Sequence, residues 1–125
     1  MKKTILSFLT LAVALYVAVS VYFYFIQNAI IFNPTQLEEG HKFGYSFPFE
    51  QRWFDVSDGA RIHAILAQAD SAKGLVIFYH GNGGSADTQP LKFTLFLNAG
   101  YDVLYPDYRE YGLSSGTLWD EDDLV

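Results

Sequence analysis

Leu75-Val76-Ile77-Phe78-Tyr79-His80-Gly81-Asn82-Gly83-Gly84-Ser85 is the run on which the reading of this chain turns. Five apolar residues without alternation predict a strand buried on both faces of a parallel sheet. A turn of small residues follows at once. Downstream, residues 91–98 carry Leu91, Leu95 and Phe96 at helical spacing and predict a short helix closed by Gly100. Residues 101–105 predict another short strand that ends in Pro106-Asp107. Upstream, residues 51–56 and 61–67 are strand-like and enclose Ser57-Asp58-Gly59, a hairpin signal. The order hairpin, strand, Gly-rich loop, helix, strand predicts half of an α/β sheet with a right-handed crossover.

The first quarter of the chain is a different material. No charged side chain occurs from Thr4 to Leu37, and residues 4–26 are almost wholly apolar. About 20 such residues cross a hydrocarbon core of roughly 30 Å. The aromatic run Tyr22-Phe23-Tyr24-Phe25 suits the headgroup layer at the distal end. Lys2 and Lys3 precede the span, and the next charges are Glu38 and Glu39. The positive-inside bias therefore predicts a single-pass membrane protein, its N-terminus cytoplasmic and its remainder extracytoplasmic. Ala18-Val19-Ser20 offers a signal-peptidase site, but cleavage there leaves a chain starting Val21-Tyr22-Phe23, a poor start for a soluble protein. An uncleaved anchor over residues 1–32 is the preferred reading, with the bilayer as its partner. Asn33-Pro34 ends the helical run. Residues 33–49, with Gly40, Gly44 and Pro48, read as a connecting loop, and residues 50–125 as the α/β unit.

Composition removes several function classes. After residue 32 the chain holds six Lys/Arg against fourteen Asp/Glu, a net −8, which disfavours nucleic acid. The absence of cysteine excludes disulfides, thiolate zinc sites and a Cys nucleophile. The acidic run Asp120-Glu121-Asp122-Asp123 lacks the glycine-turned spacing of a calcium loop, so no metal is expected. With Thr117 it reads as a capping box opening a helix, or as a solvated tail.

Three readings compete for the glycine loop. Gly81-x-Gly83-x-x-Ala86 formally fits a dinucleotide fingerprint, with Asp107 as the ribose ligand. Against it, Asp87 would stand near the pyrophosphate, and Thr88-Gln89-Pro90 delays the helix that should hold it. A P-loop fails for want of Gly-Lys-Ser/Thr. The third reading is an oxyanion loop, whose small residues let backbone N–H groups turn toward a developing negative charge.

That run, followed by Gly100-Tyr101-Asp102-Val103-Leu104-Tyr105-Pro106-Asp107-Tyr108-Arg109 and Tyr111-Gly112-x-Ser114-x-Gly116, closely resembles the α/β-hydrolase superfamily. Phe32-Asn33-Pro34, the Asp-Gly hairpin and His-Gly-Asn, behind an N-terminal anchor, bring it nearest the membrane-anchored, serine-aminopeptidase-like branch. The resemblance covers residues 30–123. It implies that the Asn82 backbone N–H is an oxyanion donor in a loop shaped by His80, Gly81 and Gly83. His80 would be a structural hydrogen-bonder and no general base, and Asp107 and Arg109 would support the site from behind. Glu110 stands where the family usually has glycine, and a left-handed conformation there would cost about 1–2 kcal/mol.

Gly112-Leu113-Ser114-Ser115-Gly116 spells the nucleophile pattern G-x-S-x-G. We reject Ser114 as the nucleophile, because the elbow needs a strand directly before it and the predicted strand ends near Tyr105. The order Ser…Asp/Glu…His fails as well, since His41, His63 and His80 all precede Ser114. The chain therefore reads as the N-terminal part of an α/β hydrolase that ends before its nucleophile elbow, with no triad and no cofactor. Its full-length parent would hydrolyse a small acyl or peptide substrate, an ester, thioester or amide, through an acyl-enzyme. The alternatives are a non-catalytic tethered fragment and, behind it, a dinucleotide-binding βαβ unit.

Overall fold

A computed structural model describes residues 2–118 and Asp123. The predicted helix opening at Thr117 depends on residues 119–122 and lies outside the described residues. The chain divides into two units, residues 1–31 and 32–125.

The first unit is one helix, α1 (Lys2–Ile31). By length and composition it is able to cross a membrane. Thirty residues at about 1.5 Å each make roughly 45 Å, the thickness of a bilayer with its headgroups. Ser7 and Thr10 return their hydroxyls to the carbonyls of Lys3 and Leu6, four residues back, so two of its few polar groups are satisfied within the helix.

The second unit is a partial α/β sheet. Its strands are β1 (Asn33–Pro34), β2 (Phe49–Asp55), β3 (Arg61–Ala67), β4 (Leu75–Ile77), β5 (Gly83–Gly84) and β6 (Asp102–Pro106), with α2 (Pro90–Asn98) between β5 and β6. Four strands form one sheet in the order β2-β3-β6-β4. The β2–β3 pair is the expected antiparallel hairpin, from Phe49 opposite Ala67 to Asp55 opposite Arg61. Gly59 takes the left-handed position of its turn at φ +87°, donating to the Val56 carbonyl. That is a three-residue hairpin loop. β4 and β6 run parallel, joined through α2. α2 starts at Pro90, where the missing N–H costs nothing, and Gly100 closes it at φ +83°.

One face of the sheet is the core. Ile65, Ala67, Val103 and Tyr105 from β3 and β6 pack with Phe93 of α2 and with Ala86, all fully buried. Segment 33–49, expected as a connecting loop, does more than connect. Asn33-Pro34 forms a parallel ladder with Gly83-Gly84. From His41 to Phe49, alternate residues turn inward: Phe43, Tyr45 and Phe47 stack in series, and Tyr45 and Phe47 reach Phe93 with ring centroids 5.2 and 5.3 Å apart. The period-two signal was present in the sequence, masked by Gly44 and Pro48 in its outward positions.

The expectation that residues 75–79 are buried on both faces is corrected. β4 is three residues long and lies at the sheet edge. Phe78 packs on Tyr105 and Phe96, but Leu75, Ile77 and Tyr79 are more than half exposed. Within this chain no element covers that second face among the described residues, so only alternate side chains of the run are shielded.

Candidate functional site

The loop after β4 and the corner after β6 meet at the carboxyl ends of the parallel pair. In open α/β sheets that is where ligands bind. Phenol hydroxyls from the corner bolt the two segments together. Tyr108 donates to the His80 carbonyl at 3.1 Å, and Tyr111 donates to the Asn82 carbonyl at 2.9 Å. Burial pushes both phenols above the ordinary tyrosine range, so they remain protonated donors at neutral pH. The Asn33 N–H also donates to the Asn82 carbonyl, at 2.9 Å. Asn82 and Gly81 themselves are exposed. Gly84 is held at φ +85°, and a Cβ there would meet the Thr88 hydroxyl at 2.4 Å. Glycine is therefore required for the loop to turn into the single 3-10 turn Ala86–Thr88.

Behind the loop lies a buried polar cluster that sequence reading only half found. Asp107 is fully buried, and its Oδ1 accepts the Ala86 N–H at 2.7 Å. The His80 Nε2 stands 3.6 Å from Asp107 Oδ1, and the His63 Nδ1 stands 3.6 Å from Oδ2. His80 Nδ1 lies 2.6 Å from the Gly81 carbonyl, and its ring stacks on Tyr105. These His80 contacts are local, to the next residue in the chain and to the adjacent β6. His63 was read merely as a hairpin residue. Its inward phase, shared with Ile65 and Ala67 on β3, was the signal that it faces the site.

Arg109 departs from expectation. Its guanidinium pairs with Asp58 in the hairpin loop, tying the corner after β6 to the β2–β3 turn and not to the glycine loop. That hydrogen bond, with the Ala60 N–H, holds the Asp58 carboxyl below its usual range. Glu110 adopts φ +64°, the left-handed conformation foreseen as costly for a non-glycine residue.

The G-x-S-x-G look-alike is a staple. Ser114 Oγ donates to the Asp107 carbonyl at 2.8 Å and accepts the His63 N–H at 2.9 Å. The Ser115 hydroxyl accepts the Arg61 N–H at 2.9 Å. Both serines fasten residues 112–116 to the start of β3. The His63 ring does not address the Ser114 hydroxyl, since its nitrogens lie at Asp107 Oδ2 and at Gln51 Oε1, 3.1 Å away. Gly112, at φ +56°, exchanges backbone bonds with Thr35 and Leu37.

The geometry does not favour a dinucleotide. Asp107, the would-be ribose ligand, has no exposed surface, and α2 begins four residues after Ala86. Among the described residues no group of three His, Cys, Asp or Glu side chains is arranged for a metal.

No protein-family model matches the chain. Among solved structures its fold is similar to an esterase from Pyrococcus furiosus in two crystal forms. One gives a TM-score of 0.52 at 21% identity over 75% of this chain and 37% of the esterase. The other gives 0.50 at 19% identity over 73% and 37%. A probable hydrolytic enzyme from Pseudomonas aeruginosa aligns at a TM-score of 0.49 and 21% identity, over 73% of this chain and 31% of that one. The second unit thus has the fold of part of an α/β hydrolase, and the chain spans little more than a third of the esterase's length.

Proposed function

We propose that this is a membrane-anchored α/β-hydrolase-like protein whose loop 80–84 binds an oxyanion, the Asn82 backbone N–H serving as one donor. One observation carries this reading: the His-Gly-Asn loop and the Asp107-Tyr108-Arg109 corner, far apart in sequence, are hydrogen-bonded together at the carboxyl ends of β4 and β6. The activity of the parent sequence is serine-type hydrolysis of an ester, thioester or amide. Preorganised N–H donors stabilise the tetrahedral intermediate of such a reaction, typically by a few kcal/mol per donor. His80 and Gly81 shape the loop, Gly83 holds it to Asn33, and Asp107 secures it through Ala86. The serine-aminopeptidase-like branch rests on the order of apolar N-terminal segment, Phe32-Asn33-Pro34, Asp-Gly hairpin and His-Gly-Asn loop along the sequence. Lys2 and Lys3, in the first turn of α1 and ahead of its apolar run, support a cytoplasmic N-terminus.

The 125 residues by themselves carry no triad in this reading and turn over nothing. The test treats the full chain in micelles with a fluorophosphonate probe and, separately, titrates it with butyrate while following backbone amides by NMR. The expected result is no adduct on Ser114, with butyrate-dependent shifts centred on Asn82 and Gly83. An adduct abolished by Ser114→Ala would overturn the absence of a nucleophile. Butyrate shifts that avoid residues 80–84 would overturn the oxyanion assignment.

A further inference from the structure

A groove of about 540 Å³ adjoins the β2–β3 hairpin, and no residue of loop 80–84 lines it. Gln51 and Trp53 of β2, Arg61 of β3 and residues from segments 36–41 and 112–116 form its lining. We propose that it binds one or two units of a neutral saccharide. Nothing in this site depends on the hydrolase reading.

The chemistry of the lining selects the ligand. A sugar presents hydroxyls that both donate and accept, together with apolar C–H faces. Gln36 and Gln51 match the hydroxyls, because a carboxamide also donates and accepts. Gln51 has committed its oxygen to His63 Nε2 at 3.1 Å, which leaves its amide N–H groups to donate. Glu39 adds an acceptor and Arg61 a donor. Trp53 matches the C–H faces. Its indole is 40% exposed, although Arg61 lies over the ring at 4.9 Å and the His63 ring is 4.8 Å away. Those contacts steady the indole and leave flat apolar surface for a ligand.

Charge removes the alternatives. Arg61 already supplies the cation that an indole attracts. An anion would meet Glu39, and the Arg61 guanidinium is already paired with Asp55 at 3.3 Å. His41, also in the lining, faces Asp87 at 3.3 Å. A neutral polar ligand is what remains.

The groove is built before a ligand arrives. The Leu37 N–H donates to the Gly112 carbonyl at 2.8 Å and joins the two lining segments. Ser114 and Ser115 accept the N–H groups of His63 and Arg61, which fixes residues 112–116 to β3. Such preorganisation lowers the ordering cost of binding. The G-x-S-x-G look-alike thereby gains a use as a groove wall. The volume lies within the ~300–1,000 Å³ of small-molecule sites.

The experiment titrates the full chain with cellobiose, maltose and N,N′-diacetylchitobiose in dodecylphosphocholine micelles, whose head group is no sugar. Indole and backbone amide resonances are followed by NMR. At least one disaccharide is expected to bind with a millimolar Kd and to shift the Trp53 indole and the amides of residues 36–41 and 112–116. Trp53→Ala should weaken binding about tenfold, and Trp53→Phe should restore part of the loss. Gln36→Ala leaves the fold alone, because Gln36 is exposed and its bridge to Gly112 is made by backbone. It should weaken binding about threefold. Raising the salt from about 0.05 to about 0.5 M should leave the Kd unchanged, as for an uncharged ligand. No shifts with any of the three sugars, or a Kd indifferent to both Trp53→Ala and Gln36→Ala, would overturn the proposal. Tighter binding of cationic chitobiose than of its neutral diacetyl form would overturn the charge assignment. Shifts from a blocked tetra-alanine peptide, with all the sugars silent, would give the groove to peptides and overturn the saccharide.

Discussion

Replacing Gly112 with alanine tests the core geometry of the site most directly. Two costs are legible. Its backbone stands at φ +56°, where an L-residue loses about 1–2 kcal/mol. A Cβ would also fall 2.0 Å from Asp107 Oδ2 and 2.6 Å from its Cγ. Asp107 has no room to yield: it is fully buried, and Oδ1 holds the Ala86 N–H. Moving it forfeits a hydrogen bond to a charged group, worth about 1.5–3 kcal/mol. Alanine recovers about 0.4–1 kcal/mol through the less flexible unfolded chain. Gly112→Ala should therefore destabilise the second unit by roughly 3 kcal/mol, a large share of the stability of a small domain. Gly59→Ala is the built-in control, because it has a left-handed backbone at φ +87° with nothing within 4 Å of the added Cβ. It should cost only about 1 kcal/mol. Guanidinium unfolding of the full chain in micelles, followed by tryptophan fluorescence and near-ultraviolet circular dichroism, reports both. In an Asp107→Ala background the penalty for Gly112→Ala should shrink to the Gly59 value, as for any coupled pair. Equal costs for the two glycines in the native background would refute the close approach of Gly112 to Asp107.

Three further outcomes are expected. Asp58 has its folded-state pKa depressed, first by the Arg109 hydrogen bond and then by the Ala60 N–H. Its contribution is present above the unfolded value of about 3.9 and is lost as pH falls through the folded value; Asp58→Asn should therefore flatten the acid limb of a denaturation-midpoint profile, and an unchanged limb would contradict the pairing. Glu110→Gly relieves the left-handed strain at φ +64° and should raise stability by about 0.5–1 kcal/mol, a few degrees in a thermal melt; a lower melting point would mean that the Glu110 side chain holds something the backbone argument omits. An open apolar strand edge favours association between chains, so Ile77→Lys, which puts a charge on the β4 edge where Ile77 is 53% exposed, should shift the stability by less than about 0.5 kcal/mol while raising the soluble fraction; an unchanged soluble fraction would show that this edge does not drive association.

What was readable in advance was local. The apolar run of α1, the Asp-Gly turn, the helix bounded by Pro90 and Gly100, and the order of strands around the glycine loop all follow from periodicity and turn chemistry over a few residues. The clash of the G-x-S-x-G look-alike with its context was also local, since no strand leads directly into it. Only the tertiary structure decided which partner each residue met. It placed Asp107 between His63 and His80, sent Arg109 to Asp58, and turned Ser114 into a clasp on β3. It folded residues 41–49 inward as an aromatic strap and laid Asn33-Pro34 against Gly83-Gly84. Among the described residues it left Leu75, Ile77 and Tyr79 more than half exposed, although five consecutive apolar residues carry no mark of which face is shielded. Propensity resides in a residue and its near neighbours. A hydrogen-bond partner or an apolar contact is chosen by chain segments tens of residues away, and burial then enforces the choice, because a buried polar group without a partner costs more than any local preference supplies.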